Sequence, residues 1–205
     1  MKKFTILLFL FNILLFSNES PAQNNTNDQK YIYKKGDYNG IGKWYMGREI
    51  AYVMGYEGIG WLERSQREKE ENVSKLIQNM GIRPNDTIAD IGAGSGYHAF
   101  RMAPLANKGM VYAVDIQTEM LMAIENSKET NNIKNIKTIL GGEKSVYLAK
   151  NSVDKILMVD VYHEFSFPIE MIKSITIALK PKGELFLIEY RGEDPNVPIK
   201  RIHKM

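Results

Sequence analysis

Short apolar runs alternate with amphipathic stretches along the second half of the chain. Each run holds five or six residues with few polar positions, which is typical of a strand buried on both faces of a parallel sheet. The stretches between the runs carry apolar residues at helical spacing. Alternation of this kind predicts an α/β fold, with a doubly wound, Rossmann-like parallel sheet and helices on both faces. The predicted strands are residues 87–91, 110–114, 136–140, 155–159 and 184–189, and the predicted helices are residues 97–105, 118–131 and 168–179.

The segment of residues 37–80 is predicted to be a helical cap followed by a lead-in helix. Aromatic and aliphatic residues recur at helical spacing in residues 44–55. After a glycine-rich break the helical pattern resumes, with apolar residues three and four positions apart up to Met80. Gly81 is a typical stop signal for that helix. We therefore expect the main domain to occupy residues 81–205.

The amino terminus has the pattern of a secretory signal peptide. Lys2 and Lys3 precede a mostly apolar run of thirteen residues, and small residues follow it. A helix of that length spans about 20 Å, less than the roughly 30 Å of a hydrocarbon core. We therefore expect no stable membrane anchor after cleavage. The sequence predicts a signal peptide at residues 1–22, a polar linker at residues 23–36, and a periplasmic or secreted domain; if the leader is misread, the domain is cytoplasmic.

Composition narrows the classes of function. The 205 residues are 44% hydrophobic and 25% charged, as expected for one globular domain. With 27 basic and 24 acidic residues the net charge is +3, which is too weak an imbalance to predict a nucleic-acid partner. The absence of cysteine excludes disulfides, thiolate metal sites and cysteine nucleophiles. No metal site is predicted, and the sequence does not indicate an oligomeric state.

The stretch TIADIGAGSGYHAFRMA carries the candidate chemistry. Gly92, Gly94 and Gly96 follow the first predicted strand of the domain, and ligands of such sheets bind at the carboxyl ends of the strands. A dinucleotide fingerprint would place its third glycine three positions after the second, and a phosphate loop of the GxxxxGK[ST] type is absent. Asp90 would repel a pyrophosphate and attract a cation. S-adenosylmethionine, with its sulfonium and ammonium groups, fits this charge better than a dinucleotide or a nucleoside triphosphate.

Four segments in order resemble the motifs of the class I S-adenosylmethionine-dependent methyltransferases: DIGAGSGY, VYAVDIQ, VDKILMVDVYHEF and LKPKGELFLIEY. The resemblance implies S-adenosylmethionine as the cofactor and methyl transfer as the activity. It also implies a seven-stranded sheet that ends in an antiparallel pair. The residues after Arg191 show no pattern for that pair, so we expect a carboxyl-terminally incomplete domain that lacks it.

The resemblance further implies which residues lie at the cofactor. Asp90 is expected near its ammonium group, Asp115 at its ribose hydroxyls, and Asp160 beneath the transferred methyl group. Ile116 and Gln117 would flank the adenine. Acids at the place of Asp115 also bind the ribose of NAD, so this residue supports nucleoside binding without choosing a cofactor. The full set of implied cofactor residues is Asp90, Gly92, Gly94, Gly96, Asp115, Ile116, Gln117, Glu143 and Asp160.

Three of the candidates have a competing interpretation. Glu143 either accepts a hydrogen bond from the adenine amino group or is a solvated loop acid. Asp160 either acts at the methyl group or caps the end of its strand. His163 is the candidate general base, because its unperturbed pKa lies near neutrality, but a lone histidine is more often structural. Its neighbour Tyr162 is a second catalytic candidate.

Three hypotheses for function follow. The leading one is methyl transfer from S-adenosylmethionine to a small-molecule acceptor. The fourth motif reads DVYH rather than NPPY or DPPY, which argues against methylation of base amino groups of the best-known type. The absence of cysteine argues against cytosine C5 and arsenite methylation of the familiar types. The second is an exported, non-catalytic nucleoside-binding module with the same fold. The third, a nicotinamide oxidoreductase, is disfavoured by the glycine spacing and by Asp90.

Overall fold

Two separate β-sheets organise the chain. The computed structural model describes residues 30–205, so the predicted signal peptide and the first half of the predicted linker lie outside the described residues. Within the described range, no helix is both long and apolar enough to cross a bilayer. The first sheet is antiparallel, has the order β1-β2-β3, and consists of β1 (Tyr31–Tyr33), β2 (Gly40–Tyr45) and β3 (Arg48–Ala51).

The prediction of helix in residues 44–55 is wrong, because a tight hairpin occupies this segment. Tyr45 pairs with Arg48 across a two-residue turn. The turn residues Met46 and Gly47 both have positive φ, 50° and 80°. Turns with this backbone match the twist of paired strands. Aromatic and aliphatic residues that fit a helical spacing therefore lie instead on a small sheet.

Three short helices replace the single lead-in helix that the pattern predicts. Asn72 adopts a left-handed conformation with φ 52°, which separates the second helix from the third. Only the third helix contributes to the main core, through Val73 and Ile77. The helices are α1 (Ile59–Leu62), α2 (Arg67–Glu71) and α3 (Val73–Asn79).

The second sheet has five parallel strands in the order β6-β5-β4-β7-β8, which confirms the predicted fold class. Two strands begin and end at the predicted residues, and the others differ mainly at one end. The strands are β4 (Thr87–Ile91), β5 (Met110–Asp115), β6 (Ile136–Leu140), β7 (Val153–Val159) and β8 (Leu179–Ile188). The helices between them are α4 (Ala99–Met102), α5 (Thr118–Thr130) and α6 (Pro168–Ala178).

Side chains of the parallel strands alternate between two hydrophobic cores. Ile88 packs in the core that includes Ile77 of α3. The next residue, Ala89, packs in the opposite core with Ile156 and with Ile175 of α6. Both faces of the central strands are therefore covered, which explains why they form continuous apolar runs.

Strand order reverses at β4, which pairs with β5 on one side and with β7 on the other. Loops that leave the carboxyl ends of these strands diverge there and open a crevice, the usual ligand position in doubly wound sheets. The chain after β8 forms a tail, residues 189–205, with a short 3-10 helix at Arg201–His203. This helix packs against β3, and the Arg48 guanidinium donates to the Ile202 carbonyl oxygen at 2.6 Å. The tail thus packs against the antiparallel sheet beside the crevice.

Candidate functional site

A cavity of about 400 Å³ lies at the carboxyl ends of β4, β5 and β7. Its walls come from three parts of the chain: the loops at the strand ends, the segment before the parallel sheet, and the tail. The wall residues are 91–94, 98, 114–117, 120, 141–142, 145–146, 159–161, 163–165 and 171 in the parallel sheet and the segments that follow its strands, 53–54, 61–62 and 67 before the sheet, and 198–200 and 203 in the tail.

Two of the three motif glycines line the cavity. Gly92 and Gly94 have φ values of 70° and 54°, in the left-handed region that glycine adopts without strain. A Cβ at Gly92 would lie 2.3 Å from a methyl carbon of Val161, so only glycine lets the loop approach β7 this closely. Gly96 is not a wall residue; the space beside it is filled by side chains of α4 and α5. In this structure Gly96 packs against α4 and α5 behind the loop, and its contact with the cofactor stays a prediction.

Asp115, Ile116 and Gln117 lie together on the cavity wall at the end of β5. The Asp115 carboxylate accepts hydrogen bonds from the Gly94 backbone N–H at 2.8 Å and from the Gln117 backbone N–H at 2.9 Å. Burial raises the pKa of Asp115, and these hydrogen bonds oppose the shift. The Gln117 side chain donates to the Met54 carbonyl oxygen at 3.0 Å. Asp115 therefore connects the glycine loop to the loop that follows β5 through hydrogen bonds.

Asp90 is buried inside β4 and is not a wall residue of the cavity, so the structure does not place it at the expected ammonium contact. Its side chain points into the protein, and its Oδ2 has no hydrogen-bond partner among the described residues. Burial raises the pKa of Asp90 to about 7, although the nearby Arg67 guanidinium opposes the shift. Arg67 itself does line the cavity.

The raised pKa of Asp90 predicts a pH-dependent stability. Between the unfolded pKa near 4 and the folded pKa near 7, the folded carboxyl keeps a proton that the unfolded chain releases, so stability falls as pH rises through this window. Asp90→Asn removes this cost. Relative to the wild type, we expect the variant to gain unfolding free energy between pH 5 and pH 8, by at most about 2.7 kcal/mol, because about two pKa units of the window lie above pH 5. Denaturant unfolding at both pH values measures the gain.

Asp86→Asn is the matched control for that experiment. Asp86 is also buried, but its carboxylate accepts hydrogen bonds from the backbone and guanidinium N–H groups of Arg83, both at 2.9 Å. Its replacement is expected to lower stability at both pH values. A stability difference between Asp90→Asn and the wild type that stays constant from pH 5 to pH 8 would contradict the burial argument.

Glu143 and Tyr162 are not among the cavity wall residues. Gly142 and Ser145 form an antiparallel bridge, so Glu143 projects from the tip of a tight turn and is exposed. The backbone of that turn, rather than its acid, faces the cavity. Tyr162 packs its ring edge-on against Phe165, with 5.8 Å between the ring centroids. Neither side chain contributes to the wall in this structure, and the roles suggested for them by the sequence stay predictions.

Asp160 and His163 do line the cavity, at the end of β7. Asp160 has φ 54°, and its Oδ1 has no hydrogen-bond partner among the described residues. Burial raises the pKa of Asp160 to about 7. His163 is only 1% exposed. Its Nδ1 lies 2.7 Å from Oε2 of Glu189, and its Nε2 lies 3.0 Å from Nδ1 of His203.

This environment does not favour the base role predicted for His163. Burial alone lowers the pKa of the imidazole, but hydrogen bonds to Glu164 and Glu189 outweigh that effect and raise it to about 9. In this state the ring is charged at neutral pH, and both ring nitrogens already have partners. A general base needs a free lone pair, so this arrangement favours a structural, hydrogen-bonding role for His163 over proton abstraction.

Sequence reasoning missed the contribution of the tail. His203 and Lys200 line the same cavity as the glycine loop, although neither lies in a recognisable motif. Their position depends on how the chain returns after β8, which no local pattern encodes. The scarcity of histidine, three residues in 205, was the only sequence signal that could have drawn attention to His203.

Comparisons with known proteins agree with this architecture. A family model described as a methyltransferase domain matches residues 82–204. The tRNA U34 carboxymethyltransferase of Desulfotalea psychrophila is 29% identical over 118 residues, which are 58% of this chain and 37% of that protein. The ubiquinone/menaquinone biosynthesis C-methyltransferase of Wigglesworthia glossinidia brevipalpis is 28% identical over 117 residues, 56% of this chain and 47% of that protein. The chain thus spans less than half the length of either relative.

Solved structures show the same fold. A SAM dependent methyltransferase from Aquifex aeolicus matches with a TM-score of 0.70 and 24% identity, over 75% of this chain and 82% of that chain. Coclaurine N-methyltransferase bound to N-methylheliamine and SAH matches with a TM-score of 0.51 and 20% identity, over 60% of this chain and 38% of that chain. With its parallel sheet, glycine loop and family match, the chain belongs to the methyltransferase domain family, as a class I member whose cofactor is S-adenosylmethionine.

Proposed function

We propose that the protein transfers the methyl group of S-adenosylmethionine to a small-molecule acceptor. One observation carries this proposal: Gly94 and Asp115 line the same cavity as Asp160 and Lys200. The tail and the segment before the sheet contribute to its walls, and a cleft of about 400 Å³ suits a small acceptor better than a folded macromolecule. The two relatives differ in the acceptors that their names give, a tRNA and a quinone, so the cavity itself is the better guide to the acceptor.

The cofactor would lie along the ends of β4 and β5. Asp115 is placed to accept hydrogen bonds from the ribose hydroxyls, and Ile116, which is 44% exposed, offers an apolar surface to the adenine. Gly92 and Gly94 leave space for the methionine part. Arg67 also lines the cavity and is the candidate cation for the cofactor carboxylate, in addition to its ion pair with Glu71 at 2.8 Å.

The protein has a limited chemical task in this reaction. The sulfonium of the bound cofactor activates the methyl group, so the chain has to orient an acceptor in line with the S–CH₃ bond and exclude water. Asp160 lies where β7 ends and lines the cavity, so its carboxylate can accept a hydrogen bond from the nucleophilic O–H or N–H of the acceptor. Bound S-adenosylmethionine would supply the methyl group, and the Asp160 carboxylate or solvent would take the proton that the acceptor loses.

A second candidate is an exported module that binds the cofactor or its product without turnover. Two observations favour it: the predicted leader at residues 1–22, and the full engagement of both His163 ring nitrogens. S-adenosylmethionine is a product of cytosolic metabolism, so export would separate the protein from its cofactor supply. On this alternative the cavity binds a nucleoside ligand and transfers nothing.

A labelling experiment tests the proposal. The protein is incubated with S-adenosylmethionine that carries a tritiated methyl group, once with a small-molecule cell extract below 3 kDa and once with total tRNA plus the protein fraction. We expect label in the small-molecule extract, and none with Asp160→Asn under the same conditions. Titration calorimetry with S-adenosylhomocysteine and with NAD measures binding separately.

The outcomes separate the candidates. Label that enters only tRNA or protein would contradict a small acceptor. Binding of S-adenosylhomocysteine with no label in either fraction would support the non-catalytic module instead. Binding of NAD without S-adenosylhomocysteine would contradict both.

A further inference from the structure

Two imidazoles and a carboxylate meet at the edge of the cavity. His163 and Glu164 lie in the short 3-10 helix Tyr162–Glu164 after β7, and His203 lies in the 3-10 helix of the tail. Nε2 of His163 is 3.0 Å from Nδ1 of His203. Oε1 of Glu164 is 3.7 Å from Nε2 of His163 and 3.8 Å from Nδ1 of His203. Three potential ligand atoms from two distant segments therefore face one point.

The size of this triangle matches a metal ion. A circle through three atoms separated by 3.0, 3.7 and 3.8 Å has a radius of about 2.05 Å. Bonds from a divalent zinc ion are about 2.0–2.1 Å to histidine nitrogen and about 2.0–2.2 Å to carboxylate oxygen. An ion at the centre would thus reach all three atoms without a change in backbone position.

Neighbouring groups orient two of the three ligands. The Glu189 carboxylate lies 2.7 Å from Nδ1 of His163, which keeps the Nε2 side of that ring directed at the cluster. A carboxylate behind a histidine is the usual outer support of a metal-binding imidazole. The Met54 backbone N–H donates to Oε1 of Glu164 at 3.0 Å and leaves that oxygen a second lone pair. The rings of His163 and His203 stand nearly perpendicular, at 85°.

The negative charge around the three ligand residues also favours a bound cation. Three carboxylates, those of Asp160, Glu164 and Glu189, lie within 3.8 Å of a histidine nitrogen. The Arg48 guanidinium lies on the backbone side of the cluster, where it contacts the carbonyl oxygens of His163 and Ile202 rather than a carboxylate. An ion bound here would replace the proton between Nε2 of His163 and Nδ1 of His203, because a ligating imidazole must be deprotonated. Without that proton, the three carboxylates outnumber this one guanidinium.

We propose that His163, His203 and Glu164 form a binding site for one divalent first-row transition-metal ion, with Zn²⁺ as the representative. Two imidazoles and one carboxylate are a common ligand set for zinc and for non-haem iron. All three residues line the cavity, so the remaining coordination position faces the space assigned to the acceptor. An ion there would bind an oxygen or nitrogen atom of a ligand and would hold the tail against β7. The site departs from the sequence-based expectation of no metal ligands, and it does not depend on methyl transfer.

Zinc binding by the untagged full chain tests this site. The chain has no cysteine and three histidines, so its candidate soft ligands are few. Calorimetric titration with ZnCl₂ at pH 7.5 and 150 mM NaCl is expected to show one equivalent bound. His203→Gln and Glu164→Gln each remove one ligand and should weaken binding at least tenfold. His98→Asn is the matched control, because His98 is the one histidine outside the cluster.

A second readout follows the same variants. Saturating Zn²⁺ is expected to raise the melting temperature of the wild type and of His98→Asn but not that of His203→Gln, since only a chain with the site gains from the ion. Co²⁺ in place of zinc should give the visible absorption of a tetrahedral nitrogen and oxygen site. Absence of stoichiometric binding by the wild type would overturn the proposal, and so would equal zinc affinity in His203→Gln and the wild type.

Discussion

Asp115→Asn is expected to weaken the binding of S-adenosylhomocysteine by about 100-fold, or about 2.7 kcal/mol. Both carboxylate oxygens of Asp115 accept backbone hydrogen bonds, one from Gly94 and one from Gln117. An amide has only one acceptor oxygen, so its NH₂ group must face one of these two N–H groups in either orientation. A buried N–H without a partner costs about 1–3 kcal/mol, and the ribose also loses an acceptor. Titration calorimetry measures the affinity.

Glu119→Gln is the control for this variant. Glu119 is an exposed acid in the first turn of α5, four residues after Asp115 in the chain. It is not a wall residue of the cavity. We expect its affinity for S-adenosylhomocysteine to stay within twofold of the wild type. If Asp115→Asn folds and binds the product as tightly as Glu119→Gln does, Asp115 does not contact the nucleoside and does not organise the glycine loop.

Gly109→Ala is expected to destabilise the protein by about 3 kcal/mol or more, at the upper end of the cost of overpacking. A Cβ at Gly109 would lie 1.9 Å from the Asp86 carbonyl oxygen. The backbone there has little freedom, because the Met110 N–H donates to the same oxygen at 3.2 Å and Met110 pairs with Thr87 at the start of the β4–β5 ladder. The clash would therefore separate two central strands. Denaturant unfolding without ligand measures the loss.

Gly60→Ala provides the matched comparison. Gly60 lies within α1, and no atom would lie within 4 Å of an added Cβ. Alanine is favoured over glycine in a helix by up to about 1 kcal/mol, so this variant should be neutral or slightly more stable. Equal stability of the two alanine variants would show that the backbone near residue 109 can move aside at little cost.

Gly109 also shows a limit of reading glycine motifs. The sequence draws attention to Gly92, Gly94 and Gly96 because they are regularly spaced after an apolar run. Gly109 stands alone, and the carbonyl that confines it belongs to Asp86, 23 positions earlier in the chain. Contacts between residues so far apart in sequence leave no local pattern.

The antiparallel sheet before the main domain shows that hydrophobic spacing alone does not distinguish a helix from a strand. Its residues satisfy helical and extended spacing about equally, and the turn at Met46 and Gly47 decides between them. Tyr31 then places this sheet against the main domain through a hydrogen bond to Glu170 at 2.6 Å. Burial against a distant helix, rather than propensity, stabilises the strands.

The amino-acid sequence alone is enough to predict the parallel sheet, most of its strand bounds to within about two residues, and a glycine loop close to Asp115. These features depend on apolar runs and on neighbours within a few positions, which local sequence encodes. The three-dimensional structure was needed to show that Glu143 and Tyr162 lie outside the cavity wall, that Asp90 is enclosed, and that the tail brings His203 to His163. Those outcomes depend on side-chain direction and on contacts between segments 40 or more residues apart, where loop path and packing, rather than periodicity, set which atoms meet.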